Sequence, residues 1–411
     1  MLLPDSIVRE GQARFLAAEF AREHPWLVGS MAEYPKLAYS QRDVRRAGEI
    51  ISSNVWSPES RYKILEAFDI ANSWRSSHLY PMRSIRVSIA QRMRWNSLDG
   101  YTAARPKRMT SIRRKLQKLT INLEQINDIA GCRAVLDDVA SVNALIEMCE
   151  NDFPQAIRQR YPYISKPKPD GYRSHHIVFD FQDKGEPDAF KGRRVELQIR
   201  TRLQHSWATA VEAVGLYRGE EMKAGEGDPD WLRLFLLMST EFAYAEQCDP
   251  LGPDNDKVAR LAEIRKLNAK LGAANVLEDL RNATHYMSNF FQEGTARYYL
   301  IQYDNPTKQV TVTGFSSAFD VSATLVAAER KIESGEDDAK IVQVEVSKVA
   351  SLVDAYPNYF GDVALFIRNL RHVCEGKQAI EFSMAPQKLV APKPHEKPDL
   401  SALRRRYTKW D

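Results

Sequence analysis

The chain predicts an α+β fold, a mixed β-sheet flanked by helices, with N-terminal helices before it and a small C-terminal α/β module after it. Three patterns carry that expectation. Residues 1–95 read as helical, with amphipathic stretches near 8–22, 42–53 and 60–76 and breaks at Pro25, Pro35, Pro58 and Pro81. Strand and helix signals then alternate between 131 and 217. A strand–turn–strand pattern starts again near 296.

Taken in order, "GCRAVLDD" (131–138) predicts a strand and "VASVNALIEMCEN" (139–151) a helix with apolar residues at helical spacing. "SHHIVFDF" (174–181) and "RRVELQIR" (193–200) predict a strand pair joined by a polar loop. "TRLQHSWATAVEAVGLY" (201–217) is helical by period, and more helix follows from about 229 to 293, broken at "DPLGPDND". The later unit predicts two strands around a turn at Asn305–Pro306, an alanine-rich helix, a strand at 339–347 and a terminal helix at 361–373. Beyond 385 the tail is rich in proline and basic residues, which predicts an extended segment to about 399.

With 411 residues, 44% hydrophobic and 27% charged, the chain has the length and composition of a globular protein of two or three domains. The net charge of +4 is small, so the placement of basic residues says more than their sum. The four cysteines (Cys132, Cys149, Cys248, Cys374) lie far apart with no CxxC pair, which indicates neither a zinc site nor a disulfide framework. No apolar run reaches the roughly 18 residues of a membrane span, and the N-terminus does not resemble a signal peptide. The expectation is a cytoplasmic protein with no membrane partner.

Four stretches carry chemistry. "ARPKRMTSIRRKLQK" (104–118) holds seven Lys or Arg residues and no acid. A charge run is usually a solvated helix face, yet here Arg105 and Lys107 precede the helix, Ser111 falls near its N-terminus and Lys115 one turn on. Cations converging on a helix N-terminus suit a polyphosphate. In "NDIAGCRAV" (127–135), Asp128 sits just before a strand, where a carboxylate can hold a divalent cation or cap a turn. Arg133, inside that apolar strand, needs a partner such as a phosphate or a purine face.

In "RRVELQIRT" (193–201), Val195, Leu197 and Ile199 alternate with Glu196, Gln198 and Arg200, so one face is apolar and the other is a row of acid, amide and guanidinium. Glu196 would be the second carboxylate, with Asp128, of a magnesium site completed by phosphate oxygens. The loop "KPKPDGYRSHH" (166–176) is turned by Pro167, Pro169 and Gly171 and is expected to present Lys168, Tyr172 and Arg173: an aromatic to stack a base, cations for a phosphate. His175 and His176 are adjacent on a strand, point to opposite faces and cannot share a metal. GxSxG, GxxxxGK[ST], HRD and DFG motifs are missing, which excludes those hydrolase and ATP-using classes.

In this order, "RPKRMTSIRRK", "DIAGCR", "KPDGYRSHH" and "VELQIRTRLQHSWA" resemble the synthetase domain of RelA/SpoT-type alarmone synthetases, over roughly residues 83–220. The resemblance implies a nucleotidyltransferase-like synthetase fold and a magnesium-dependent transfer of the β,γ-diphosphate of ATP to the ribose 3′-hydroxyl of GDP or GTP. It implies that Arg105, Lys107, Ser111, Lys115 and Arg133 form the ATP side, with Arg133 stacking on the adenine opposite Arg105. Asp128 is expected to hold Mg2+, and Glu196 to share the metal or draw the proton from the 3′-hydroxyl. Tyr172 would stack on the acceptor base, Lys168 meet its phosphates, His176 support the site, and Gln198 and Arg200 line the acceptor side.

The family's bifunctional members carry a hydrolase domain with a His–Asp metal pair; this chain has no His-Asp dipeptide, so residues 1–95 are expected not to degrade alarmones. The resulting division is 1–82 N-terminal helices, 83–220 synthetase core, 221–295 helical extension, 296–375 C-terminal module and 376–411 basic tail. Two other readings share these residues: a toxin-type relative that modifies the 3′ end of tRNA or an adenine nucleotide, restrained by its C-terminal module, and a non-catalytic RNA-binding regulator. Basic stretches at 83–94, 105–118 and 404–409 suit an RNA partner. The C-terminal module either packs Tyr356, Tyr359, Phe360 and Phe366 into a small core or offers them as a surface that docks over the acceptor pocket or meets a partner, a second copy of the chain or a regulatory protein.

Overall fold

Two helices are the first elements described in the computed structural model. It describes residues 34–53, 61–182, 189–218, 220, 222, 225–250, 256–283, 285–287, 298–304, 309–315, 317–333, 339–346 and 363–380. Helix α1 (Gln41–Ser52) is started by a capping box in which Ser40 Oγ accepts from the Asp43 N–H at 3.2 Å and Asp43 accepts from the Ser40 N–H at 3.1 Å. Helix α2 (Arg61–Ser76) packs on it. In α3 (Leu79–Trp95) Pro81 lies in the first turn, where its missing N–H costs no helical bond; the expected break is a helix start. The expected 82/83 boundary falls inside this helix.

The chain then runs β1 (Gly100–Pro106), α4 (Met109–Lys118), β2 (Ala130–Leu136), α5 (Val139–Asn151), β3 (Ala156–Pro162), β4 (His175–Asp180) and β5 (Arg194–Thr201). Helices α6 (Arg202–Arg218), α7 (Pro229–Ala245), α8 (Lys257–Leu271) and α9 (Ala273–Ala283) follow. Last come β6 (His285–Met287), β7 (Tyr298–Tyr303), β8 (Gln309–Phe315), α10 (Ala318–Glu333), β9 (Lys340–Val346) and α11 (Ala364–Cys374). The helix expected to reach 293 stops at Ala283, and residues 285–287 instead pair in parallel with β8.

Among the described residues, nine strands form one mixed sheet in the order β3-β4-β5-β2-β1-β9-β7-β8-β6. The central β2–β5 pair is parallel, and β1–β2, β4–β5 and β1–β9 are antiparallel. The strands expected in the C-terminal module therefore continue the sheet that β1 to β5 begin, with Ala104 of β1 opposite Glu345 of β9. The expected terminal helix, observed as α11, packs against α6, α8 and α9 rather than on those strands. Its Phe366 is fully buried, 5.6 Å from the Phe235 ring and 5.9 Å from Phe242. Tyr356, Tyr359, Phe360, the 8–22 stretch, Pro25, Pro58, the Asn305–Pro306 turn and residues 404–409 lie outside the described residues.

Alternation decides what each sheet face does. Ala104, Cys132, Ala134, Ile177, Phe179, Val195, Leu197 and Ile199 enter one apolar core with α3 and α5. A buried charge cluster joins that core: Glu345 Oε1 accepts from Arg83 at 2.5 Å and from Arg86 at 2.8 Å. The basic stretch expected to face RNA thus spends two of its arginines inside the protein. Among the described residues, no helix is long and apolar enough to cross a membrane.

Candidate functional site

The opposite face of the sheet lines a cleft of about 410 Å³. Pairing sets out its floor. Ala103, Arg133, Gln198 and His176 lie in one cross-strand row, and Arg105, Gly131 and Glu196 in the next. Gly131 leaves open space between Arg105 and Glu196; a Cβ there would meet only the Arg105 carbonyl oxygen, at 3.7 Å. Arg105, Lys115, Asp128, Arg133, Lys168, Tyr172, His176, Glu196, Gln198 and Arg200 all line the cleft.

Asp128 lies two residues before β2, in the turn that follows a short helical segment at Leu123–Gln125. Lys107 Nζ donates to its Oδ2 at 2.6 Å and Lys115 Nζ to its Oδ1 at 2.9 Å. Burial pushes the carboxyl up, but the two ammonium groups outweigh it and hold Asp128 well below the usual carboxylate range. Lys107 thereby reaches the site through Asp128. Ser111, in the first turn of α4, is not among the cleft-lining residues. At the helix N-terminus expected to receive phosphate, the Met109 N–H donates to Glu329 Oε1 at 3.2 Å.

Glu196 is fixed from two sides. Gln198 Nε2 donates to its Oε2 at 2.8 Å, and His176 Nδ1 lies 3.3 Å from its Oε1. The other ring nitrogen, His176 Nε2, is 2.9 Å from Tyr172 Oη. A carboxylate only accepts, so the imidazole proton belongs on Nδ1 and Tyr172 donates to Nε2. Burial raises Tyr172, which keeps its proton available for that bond. Burial also works to raise Glu196, yet the His176 and Gln198 hydrogen bonds prevail and its carboxyl sits below its ordinary value. Asp128 acts on Glu196 as a like charge, so the two acids share one electrostatic environment.

The loop at 166–176 is built tightly. Gly171 has φ +95° and donates its N–H to the Lys168 carbonyl at 2.9 Å, while Asp170 accepts from the Tyr172 N–H at 2.8 Å. Ser239 Oγ, on α7, donates to the Gly171 carbonyl at 2.5 Å, which ties the loop to the helical extension. Lys168 is exposed, and its Nζ lies 4.8 Å from the Tyr163 ring and 5.1 Å from the Tyr172 ring. Arg173 departs from expectation. It is buried and donates to the Ile164 and Asp249 carbonyls at 2.9 and 2.6 Å, so it shapes the loop and is not presented by it.

Arg200 is buried, and its Nη2 lies 2.6 Å from His205 Nδ1 on α6. Burial and the neighbouring Arg133 charge bring its pKa down to about 9, an environment that favours a negative ligand. The sequence reading missed Tyr161 and Tyr163, which stack 5.6 Å apart at the cleft edge, and the apolar end made by Trp207, Val211, Met222 and Phe235. The i, i+2 tyrosines of "RYPYI" were the available signal, obscured because β3 is a polar edge strand.

Two carboxylates and a set of lysines and arginines around a cleft with aromatic edges define a site suited to a phosphorylated, base-bearing ligand. Residues 104–222 match the family described as "Region found in RelA / SpoT proteins", so this stretch of the chain is similar to that region. It is 24% identical to the GTP pyrophosphokinase of Photobacterium angustum over 161 residues, 38% of this chain and 21% of that protein. It is 30% identical to the GTP pyrophosphokinase of Escherichia coli K12 over 145 residues, 34% of this chain and 18% of that protein. The chain thus spans about a fifth of the length of these curated relatives. A crystal structure of the small alarmone synthetase 2 of Bacillus subtilis is similar over 43% of this chain and 93% of its own, at 21% identity and a TM-score of 0.34.

Proposed function

We propose that this chain is an ATP-dependent diphosphokinase that transfers the β,γ-diphosphate of ATP to the ribose 3′-hydroxyl of GDP or GTP, with Mg2+ as cofactor. The observation that carries this reading is the pairing of two differently held acids in one cleft: Asp128 between Lys107 and Lys115, and Glu196 between His176 and Gln198. In the transfer the 3′-oxygen bonds to the β-phosphorus, the bond from that phosphorus to the α–β bridging oxygen breaks, AMP leaves, and the hydroxyl proton passes to water. Such a step needs in-line placement and charge neutralisation more than covalent help.

The donor side consists of Arg105, Lys107, Lys115 and Arg133. Lys115, in the cleft, and Lys107, beside it, are both held by Asp128 and can turn to phosphate oxygens as these arrive. Asp128 and Glu196 would hold Mg2+, since a hard cation takes oxygen ligands and generally one or two carboxylates beside phosphates. Their carboxylate oxygens keep acceptor capacity beyond the hydrogen bonds described. The metal would neutralise charge on the transferring group.

The acceptor side consists of Lys168, Tyr172, His176, Gln198 and Arg200. Tyr172 offers its ring to the base while its hydroxyl anchors His176, so base stacking and Glu196 orientation share one side chain. The lowered Glu196 carboxyl is a weak proton acceptor, which favours the metal-sharing role over direct proton removal.

The test is a transfer assay with γ-labelled ATP, Mg2+ and, in separate reactions, GDP, GTP, ATP or bulk tRNA. Label on GDP or GTP with equimolar AMP is expected. Label on tRNA alone would overturn the acceptor assignment, and no AMP with any acceptor would overturn the enzymatic reading.

A further inference from the structure

Helix α4 carries Lys115 and begins at Met109, two residues after Lys107. The first N–H groups of a helix lack partners within it. Here the Met109 N–H is received by Glu329 Oε1 at 3.2 Å, from a residue of α10 that lies 220 positions later. Glu329 also accepts from both terminal nitrogens of Arg75, at 2.9 Å from Nη1 and 2.5 Å from Nη2. Arg75 Nη1 in turn reaches the Lys107 carbonyl at 3.3 Å, and its Nη2 donates to Asn72 at 2.7 Å. The pair is buried, with side-chain exposures of 2% and 10%. Neither residue is among those lining the cleft.

One Arg–Glu fork therefore grips the backbone on both sides of Arg108. Lys107 is held a third time, since its N–H donates to the Ile129 carbonyl at 2.8 Å, beside Asp128. We propose that Glu329, acting with Arg75, is a positioning residue for the donor-phosphate cations, fixing the Lys107–Met109 corner so that Lys107 and Lys115 meet at Asp128. The inference rests on the reading of that cleft edge as the ATP side. A buried ion pair is no better for stability than well-packed apolar residues. What apolar residues cannot supply is a bond to the Lys107 carbonyl and another to the Met109 N–H. The later segment of the chain thereby becomes part of the donor site, and a shift of α10 would be felt as a change in ATP affinity.

The experiment compares the full chain with the double variant Arg75→Met/Glu329→Leu, which leaves no buried unpaired charge, and with Glu329→Gln. For each, the melting temperature, the Kd for Mg·ATP by calorimetry, and the KM values for ATP and GTP are measured. The expected result is a folded double variant with Kd and KM for ATP raised about tenfold or more and KM for GTP unchanged. A wild-type KM and Kd for ATP, or a parallel rise for ATP and GTP, would overturn the proposal. If the double variant does not fold, Glu329→Gln carries the same comparison, and failure of both to fold would overturn it in favour of a purely structural pair. Wild-type protein that binds ATP but transfers nothing would sink the diphosphokinase reading while the Kd comparison still decides the brace. Wild-type protein that binds no ATP would overturn both.

Discussion

Glu345 and Arg83 form a buried ion pair at 2.5 Å across 262 positions of sequence, and Arg86 shares the same carboxylate oxygen at 2.8 Å. The pair fastens β9 to α3 on the face of the sheet away from the cleft. Replacing Glu345 by Leu leaves two buried guanidinium groups facing no anion, which is expected to cost about 3–5 kcal/mol. Denaturant unfolding measures it, and a triple variant Arg83→Met/Arg86→Leu/Glu345→Leu should recover most of the loss. No recovery would mean that the charge is not the cause.

The same contact bears on truncation. Removing residues 296–411 strips β9 from β1 and uncovers Arg83, Arg86 and the Arg75 guanidinium together. The shortened chain is expected to lose cooperative unfolding and to aggregate, measured by calorimetry and light scattering. A monomeric remnant with a sharp transition would show that the sheet is complete without its later strands.

Gly171 stands at φ +95°, and a Cβ there would approach Ser239 Cβ to 3.0 Å and Trp207 to 3.3 Å. Gly171→Ala is expected to cost about 1–2 kcal/mol in backbone strain and to raise the KM of the guanine nucleotide more than that of ATP, because the loop carries Lys168 and Tyr172. An equal rise in both KM values would contradict a separate acceptor loop.

Tyr172 does two things that substitution can separate. Tyr172→Phe keeps the ring but removes the hydroxyl that meets His176 Nε2 at 2.9 Å, so kcat should fall while acceptor KM changes little. Tyr172→Ala should raise acceptor KM by about tenfold or more, the scale of roughly 1–3 kcal/mol for losing a stacked base. Steady-state kinetics of the two variants side by side is the measurement.

Asp128 and Glu196 both have carboxyl groups lowered in the folded protein. Their stabilising contribution is full above the unfolded carboxylate range, near pH 4, and is lost as pH falls through the lower folded values. Asp128→Asn is therefore expected to flatten the fall in urea midpoint below about pH 4 and to abolish turnover at every pH. A wild-type pH dependence of stability in that variant would show that Lys107 and Lys115 do not hold the carboxylate down.

Much of the floor of the cleft was legible in the chain. The period-2 pattern of 193–201 placed Glu196, Gln198 and Arg200 on one face, and the observed strand does the same. The adjacent histidines behave as a strand requires, with His176 in the cleft. Three strands escaped: β1, a short run through Ala and Arg without apolar alternation, β3, a polar edge, and the three-residue β6, read as helix. Local pattern has little to say about strands whose stability comes from their neighbours.

By itself the sequence determined the residues of chemistry and their local settings: the turn at Gly171, the acid before β2, the alternating face of β5 and the cations around α4. Those follow from short-range sterics and periodicity, which act within a few residues. Only the tertiary structure decided that Arg173, Arg83 and Arg86 turn inward, that the later strands complete one sheet, and that Glu329 closes the N-terminus of α4. Those outcomes depend on which buried groups find partners elsewhere along the chain, from 9 positions away for Arg173 to 262 for Arg83, and the need to satisfy each buried charge is met by the fold as a whole.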